Sequence, residues 1–391
     1  MLRKIAPKFV CLLIGAAASS LALPPSSKLF ATVTMRGEVN RMLGPAFRTP
    51  AHLAGLSYNY GIQIGFTRRG GMDIDGGSHV DSGEARVNRG SRVTVEGSGS
   101  SWHVRGKLGI GYIGSGMLDI TAGGRVISSG GYIAGSSLSA GTGRILVHGT
   151  GSTWACHGTL RIGANGSGLL SIGRGGSVII GGNLNIGDAN SDGTVRLNGG
   201  TLDMQNHDIT TGSGFATFTF TGGTLQNVRT FAVKWDQRLD LRQIAGTLAT
   251  TKRMVMGGNY MLGTAGTLRV ILSGADAVQG ADIAQYDVKG NAALAGRLQV
   301  VCRDGFKPRP GQRFDVLKAA KIDDRGLRVS GFGFRIIDNG HVLELIEPAG
   351  SLKYAWLIVV AAGLTAFLLA AGAGLALFLR KRRSRCSDVA R

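Results

Sequence analysis

The sequence predicts an all-β protein: a right-handed parallel β-helix, followed by a C-terminal β cap region and one C-terminal transmembrane helix. Three observations predict it: glycine-rich blocks that repeat, short runs in which apolar and polar residues alternate, and one long uncharged segment near the C-terminus. The chain has 391 residues, of which 64 are glycine. A glycine content so far above ordinary usage is typical of repeats joined by tight turns.

The glycine-rich blocks recur at two spacings. Residues 97–102 (Gly-Ser-Gly-Ser-Ser-Trp) return 52 residues later as residues 149–154 (Gly-Thr-Gly-Ser-Thr-Trp), and the two copies stay aligned well beyond these blocks. A shorter period of 24 residues separates the Leu-x-Ile runs at residues 160–162 and 184–186. Both spacings indicate a repeat architecture rather than a globular domain.

Alternating runs between glycine-rich turns favour a solenoid. Period-2 alternation gives each strand one apolar face, which a single repeat cannot bury by itself. Stacked coils of roughly 20–25 residues join these faces into one continuous core, as in a parallel β-helix. Trp102 and Trp154 occupy equivalent places in the two copies. We interpret them as packing at a coil corner, with a sugar-stacking platform as the alternative.

The repeats define the domain limits. We assign residues 71–228 to the β-helix repeats. Residues 229–350 contain fewer glycines and longer alternating runs, and we predict a β-rich cap there, because a solenoid needs its open edge protected. Asn339-Gly340 is a hairpin turn signal within this cap. Residues 23–70 show no period and stay unassigned.

The N-terminus has the pattern of a signal peptide. Arg3, Lys4 and Lys8 precede an apolar run at residues 9–23, which is short for a membrane span, and small residues offer cleavage positions. We predict a signal peptide over residues 1–22, with an uncleaved anchor or a buried core helix as alternatives.

The C-terminus has the pattern of a membrane anchor. Residues 354–379 carry no charge, and a basic stretch, residues 380–391, follows at once. About 20 apolar residues span the hydrocarbon core as a helix, and the basic tail stays cytoplasmic under the positive-inside rule. Together the two ends predict a single-pass type I membrane protein of the cell envelope. The bulk of the chain then lies in the periplasm or outside the cell.

The charge balance limits the classes of partner that we expect. The formal net charge is +20, but nine basic residues and one acidic residue lie in the two ends, which leaves about +12 for the exported part. Such a surface attracts anionic polysaccharide, other envelope components or lipid headgroups. The basic residues are dispersed and aromatics are 6% of the chain, so we expect no nucleic-acid partner. Only Cys156 and Cys302 would be exported, and a disulfide between them stays open.

The repeat block resembles that of a known group of surface proteins. Residues 72–225 are similar to the repeat shared by autotransporter passenger regions and by surface proteins with a PEP-CTERM-type sorting tail. Residues 286–298 and 305–317 resemble the segment that commonly follows those β-helices. The resemblance implies a β-helical architecture and says little about activity.

The C-terminal end departs from both types of surface protein. No strands of an autotransporter barrel follow residue 350, and the tail at Glu347-Pro348 lacks the usual Val-Pro before the glutamate. Cleavage by a sorting protease and stable anchoring therefore both remain open.

Carboxylates are the candidates for catalysis, because parallel β-helices also carry polysaccharide lyases and hydrolases. Acid–base cleavage of a glycosidic bond needs two carboxyl groups about 5–10 Å apart. The candidates are Asp73, Asp75, Asp119, Asp188, Asp192 and Asp203. Asp119 is replaced by Ser171 in the second copy, and acids elsewhere are sparse. We therefore expect no enzyme and assign no catalytic, cofactor or metal residues.

One segment resembles the first half of a calcium loop. Asp188, Asn190 and Asp192 occupy the first, third and fifth positions, and Gly193 the sixth, but Gly199 stands where the bidentate acid belongs. An Asp/Asn-Gly turn between coils is the favoured interpretation.

These patterns favour an exported, membrane-anchored β-helical envelope protein with a structural or adhesive role, which presents a repetitive surface. A polysaccharide-degrading enzyme on the same scaffold is the alternative, and it rests on the fold class alone.

Overall fold

The chain folds as a parallel β-solenoid. The structure, a computed structural model, describes residues 32–42, 47, 51–135, 140–188, 191–232, 239–273, 286–331 and 333–346. Within these ranges there are 33 strands and no helix.

The strands of the N-terminal part are β1 (Thr32–Gly37), β2 (Val39–Arg41), β3 (Ala51–Leu53), β4 (Gly55–Tyr58), β5 (Ile62–Ile64), β6 (Gly70–Asp75), β7 (His79–Ser82), β8 (Ala85–Val87), β9 (Ser91–Glu96), β10 (Ser101–Ile110) and β11 (Gly114–Thr121). Those of the middle part are β12 (Arg125–Ile133), β13 (Gly141–Val147), β14 (Thr153–Cys156), β15 (Leu160–Ile162), β16 (Gly166–Gly173), β17 (Ser177–Ile180), β18 (Leu184–Ile186), β19 (Asp192–Asn198), β20 (Thr201–Thr211), β21 (Phe215–Phe220) and β22 (Thr224–Phe231). Those of the C-terminal part are β23 (Leu241–Ala249), β24 (Met254–Met256), β25 (Tyr260–Leu272), β26 (Tyr286–Val288), β27 (Asn291–Leu294), β28 (Arg297–Cys302), β29 (Arg313–Lys318), β30 (Lys321–Asp324), β31 (Arg328–Ser330), β32 (Arg335–Asp338) and β33 (Val342–Ile346).

Each coil contributes one strand to each of three parallel ladders. The first ladder runs β6, β9, β11, β13, β16, β19 and β21. The second runs β4, β7, the start of β10, the start of β12, β14, β17 and the start of β20. The third runs β5, β8, the end of β10, the end of β12, β15, β18 and the end of β20. The predicted stacking of repeats into a parallel solenoid is thus confirmed.

The 52-residue repeat corresponds to two coils. Trp102 pairs in register with Val126, which in turn pairs with Trp154. Both indoles are fully buried inside the solenoid. Gly131 helps to make room for the second one, since a Cβ added there would lie 3.5 Å from the Trp154 ring and 3.0 Å from the Leu108 carbonyl oxygen. The core is a continuous column of such inward side chains, mostly Val, Ile and Leu.

A Gly-Gly turn joins the first ladder to the second. Gly123 has φ 93° and Gly175 has φ 78°, a left-handed conformation that costs glycine least. The next residue needs glycine for a different reason. A Cβ at Gly124 would lie 2.2 Å from the Val95 carbonyl oxygen of the preceding coil. The first glycine of each pair therefore serves the turn, and the second permits close approach of adjacent coils.

The solenoid extends past both predicted limits. β4, β5 and β6 already form a parallel coil on β7, β8 and β9, and β4 and β5 lie within residues 23–70, which the sequence left unassigned. At the other end, parallel pairing continues from β22 through β31, into residues 229–350, which were predicted as a β-rich cap continuous with the solenoid. The coils there have unequal lengths: the stacked residues Leu248, Leu268, Leu298 and Val329 are 20, 30 and 31 residues apart. Unequal spacing hides the period.

Antiparallel strands cover both ends of the solenoid. β1 lies antiparallel on β6, β3 on β1, and β2 on β5. At the C-terminal end β33 lies antiparallel on β29, and β32 pairs with β33 through the turn at Asn339-Gly340. Such strands occupy edges that would otherwise pair with another chain.

The predicted terminal segments lie outside the described residues. These are the signal peptide (1–22), the membrane helix (354–379) and the basic tail (380–391). The ranges that the structure does describe hold no helix of the length and hydropathy needed to cross a membrane.

Candidate binding groove

A groove of about 1090 Å³ runs along the outward side of the third ladder. Three of its lining residues, Arg86, Tyr132 and Arg161, belong to one column of outward residues, in which each residue pairs in register with the next. The column is Arg86, Gly109, Tyr132, Arg161, Asn185 and Thr210. The lining extends from Glu84 to Ser213. Because neighbouring strands lie about 4.8 Å apart, the five steps of the column span roughly 24 Å.

Glycine shapes the floor of the groove. Gly109 leaves its place in the column empty, and the ring of Tyr132 from the next coil lies there: a Cβ at Gly109 would be 2.2 Å from the Tyr132 hydroxyl oxygen. Gly130 and Gly131 continue the floor. The depression therefore results from missing side chains on the third ladder, not from a break between coils.

Two tyrosines and one arginine form the centre of the groove. The Arg86 guanidinium lies 4.4 Å from the Tyr112 ring centroid, and the Tyr112 and Tyr132 rings are 5.6 Å apart. The Tyr132 hydroxyl is buried and has no hydrogen-bond partner among the described residues. Burial raises the pKa of Tyr132 to about 12, against the opposing effect of the nearby Arg86 charge. The phenol is therefore neutral at physiological pH.

The charged residues of the groove are mostly paired. Arg86 donates to both carboxylate oxygens of Glu84 at 3.3 Å. Arg161 donates through Nε to Asp188 at 2.7 Å, and also through Nη2. Lys107 is exposed and forms no ion pair within the described part of the chain. Three basic residues thus face two acidic ones, an excess of one positive charge.

A second polar cluster lies outward on the first ladder. Asp119 accepts a hydrogen bond from Arg92 at 2.7 Å and lies 3.0 Å from His148 Nε2. His148 Nδ1 lies 3.5 Å from the Thr121 hydroxyl. With a neutral ring, Nε2–H donates to Asp119 and Nδ1 accepts from Thr121, so the order is hydroxyl, imidazole, carboxylate. Asp119 is almost fully buried by these neighbours.

The other predicted carboxylates are engaged separately by residues on neighbouring strands. Asp73 pairs with Arg36, and Asp75 accepts from Thr32. Asp203 accepts from Gln226 at 2.8 Å and from Asn227 at 3.0 Å. Of the six candidate carboxylates, Asp119 is the one that contacts a histidine within the described structure, although Asp81, which was not a candidate, also lies 3.1 Å from His103 Nδ1. Within the described ranges, no three His, Cys, Asp or Glu residues come together as a metal site.

The calcium-loop segment is divided between two structural roles. Asp188 pairs with Arg161 in the groove, and Asp192 begins β19, where it accepts from Ser167 at 3.4 Å. Asn190 lies outside the described residues. The turn is closed by the Ser191 amide, which donates to the Asp188 carbonyl at 3.2 Å.

Cys156 and Cys302, the cysteines within the described residues, lie far apart. Cys156 is buried on β14, and Cys302 is partly buried on β28. Both strands belong to the second ladder, and six coil steps of about 4.8 Å separate them by roughly 29 Å. No disulfide can link them within one chain.

Apart from Asp188, sequence reasoning missed the residues of the groove. Trp102 and Trp154, which it singled out as a sugar-stacking alternative, are fully buried, so that alternative is wrong. The aromatic residues that do reach the surface groove are Tyr112 and Tyr132. A signal existed, because Tyr132 follows Gly130-Gly131 at a position where the second copy, 52 residues later, has Leu184.

No family model matches the chain, and no curated protein shows significant similarity to it.

Proposed function

We propose that this protein is an exported, membrane-anchored component of the cell envelope, with an adhesive or structural role carried by the outer surface of its solenoid. The observation that carries this proposal is the groove on the third ladder, because it repeats backbone geometry at every coil and combines tyrosine with basic side chains. A repetitive surface suits a repetitive polymer better than it suits a small molecule.

The distribution of charge supports a contact role. Ion pairs link neighbouring coils on the outside, as in Arg92–Asp119, Arg229–Asp208 and Arg253–Asp287. The interior is apolar over most of its length. The backbone ladders and the apolar core hold the solenoid together, so the outer side chains that are not in ion pairs can take part in recognition without loss of the fold.

The handedness of the solenoid and the roles of the two chain ends are part of the same proposal. The solenoid is right-handed, residues 1–22 direct export, and residues 354–379 anchor the chain with residues 380–391 in the cytoplasm. The resemblance to repeats of autotransporter passengers and PEP-CTERM-type proteins supports a surface location. Intact mass of the protein recovered from membranes tests both ends, since each cleavage removes a defined mass. A full-length mass would contradict export by a cleaved signal peptide.

Binding experiments test the adhesive role. The full chain in detergent would be applied to glycan arrays and to isolated cell-envelope polymers, with heat-unfolded chain as the control. We expect saturable binding to at least one polymer. Absence of binding to every envelope polymer and to whole cells would overturn the adhesive role.

One observation favours the alternative of a polysaccharide-degrading enzyme. Asp119 orients the imidazole of His148 at 3.0 Å, and an oriented imidazole is the type of general base with which a polysaccharide lyase abstracts a proton. Release of reducing or unsaturated ends from acidic polysaccharides would support this alternative. His148→Ala should then abolish turnover, while His157→Ala, which removes another exposed histidine, should not.

A further inference from the structure

We infer that the groove on the third ladder binds an acidic glycan in extended form, with the sugar chain parallel to the solenoid axis. This inference rests on the proposed adhesive function and names the class of polymer that the groove takes.

The dimensions of the groove define the direction of the ligand. Its outward column advances by one strand spacing, about 4.8 Å, at every coil. This step is close to the rise of one sugar ring in an extended 1,4-linked glycan. Because the column continues over several coils, consecutive sugars of one chain meet equivalent backbone positions. A peptide or a compact metabolite has no such match.

Two basic side chains lie on either side of the glycine floor. Lys107 lies on β10 and Arg161 on β15, two coil steps or roughly 10 Å apart along the axis. Lys107 pairs with Gly130 and Arg161 with Tyr132, so the two side chains lie in neighbouring outward columns. Every second sugar of a two-fold extended chain presents its substituent in the same direction. The separation of the two cations therefore fits carboxylates on alternate sugars.

Both cations retain hydrogen-bond donors for a ligand. Lys107 has no anionic partner in the described part of the chain. Arg161 uses Nε and Nη2 for Asp188, which leaves three of its five N–H donors for another anion. Glu84 and Asp188 are each already paired with arginine, so they repel an incoming carboxylate less than isolated acids would.

The remaining lining suits sugar rings. Tyr112 and Tyr132 provide aromatic surface, and Ser129 and Thr159 provide hydroxyl groups that both donate and accept hydrogen bonds. Carbohydrate recognition combines ring stacking with such polar groups. Lys107 and Arg161 add selectivity for carboxylate over the neutral hydroxymethyl group.

Hexasaccharides that differ in charge test this inference on the full chain in detergent. The acidic probes are β-1,4-mannuronate, α-1,4-guluronate and α-1,4-galacturonate, and β-1,4-mannan is the neutral match of the first. We expect at least one of the acidic probes to bind, with an affinity that falls as the salt concentration rises. If that probe is β-1,4-mannuronate, it should bind more tightly than β-1,4-mannan. The double variant Lys107→Ala/Arg161→Ala should bind it roughly tenfold more weakly.

A control variant separates the groove from general attraction to a basic surface. Arg144→Ala/Arg196→Ala removes the same charge from the outward side of the first ladder. It should bind within about twofold of the parent chain, and thermal melts should show both double variants folded. Equal weakening by the two double variants would overturn the groove assignment, as would unchanged affinity without Lys107 and Arg161. If none of the acidic probes binds while envelope polymers still do, the inference fails and the adhesive function stands.

Discussion

The indole N–H of Trp102 donates a hydrogen bond to the Ser82 hydroxyl at 3.1 Å, and both side chains are fully buried between consecutive coils. Trp154 repeats the bond two coils later, to Ser128 at 3.2 Å. A tryptophan inside a narrow apolar core needs such an acceptor, because its N–H has no water to bond. The serine on the preceding coil is therefore as much a part of the repeat as the tryptophan.

Ser82→Ala should destabilise the solenoid by about 1–3 kcal/mol, since it leaves the Trp102 N–H buried without an acceptor. Chemical denaturation of the full chain in detergent, followed by circular dichroism, measures this. Ser98→Ala serves as the control and should change stability little. It removes an exposed hydroxyl from the turn before β10, the strand that carries Trp102. Equal effects of the two variants would contradict the role of the bond.

Two buried tyrosine hydroxyls should respond in opposite ways to replacement by phenylalanine. The Tyr132 hydroxyl has no partner in the described structure, so Tyr132→Phe should leave the unfolding free energy unchanged or raise it slightly. Tyr260 donates to Gln243 Oε1 at 2.7 Å inside the core. Tyr260→Phe should therefore cost about 1–3 kcal/mol. The denaturation midpoints of the two variants are compared with that of the parent chain. A larger loss of stability for Tyr132→Phe than for Tyr260→Phe would contradict the prediction.

Gly124 should not tolerate a methyl group. A Cβ there would lie 2.2 Å from the backbone oxygen of Val95, and adjacent coils cannot separate without loss of their ladders. We expect Gly124→Ala to cost about 1–3 kcal/mol, as overpacking does elsewhere. Gly71→Ala is the matched control, because its Cβ would meet only ordinary contact at 3.6 Å. Similar melting temperatures for both variants would show that the coils adjust.

Thiol reactivity should distinguish the two cysteines. Burial raises the pKa of Cys156 to about 11, so almost none of it is thiolate at neutral pH. An alkylating reagent should label Cys302 before Cys156 in the folded chain, and both at similar rates after unfolding. Peptide mapping by mass spectrometry resolves the sites, and a Cys302→Ser chain tests whether Cys156 then stays unlabelled. Rapid labelling of Cys156 would show that the core opens at β14.

The sequence contained enough to predict the solenoid but not its length. The copies at Trp102 and Trp154 share a fixed offset because the turns between them have matching lengths. Beyond residue 229 the strands still stack, but insertions between Leu268, Leu298 and Val329 lengthen the coils. A period is visible in sequence only where loop lengths are constant, whereas ladder pairing tolerates loops of any length.

The groove was less accessible to sequence reasoning for a different reason. Its centre joins Arg86, Tyr112 and Tyr132, which are 20 or more residues apart or lie on turns. The register between coils determines which of these side chains lie on the same outer face of the solenoid. A shift of one residue would turn a side chain to the opposite face of its strand. The Asp119 and His148 contact depends on register in the same way.

The ion pair between Asp208 and Arg229 should make stability depend on pH in acid. Arg229 donates through Nε and Nη2 to the two carboxylate oxygens, at 2.8 and 2.6 Å, and this hydrogen bonding holds the pKa of Asp208 below its usual value of 3.8. A depressed pKa stabilises the folded state at pH values above the unfolded pKa, about 3.9. That contribution is lost as the pH falls through the lower, folded pKa. The parent chain should therefore exceed Asp208→Asn in denaturation midpoint at pH 6, and the difference should shrink below pH 4. Arg229→Gln, which removes the other partner, should show the same convergence, while a difference that stays constant between pH 6 and pH 2 would contradict the role of the ion pair.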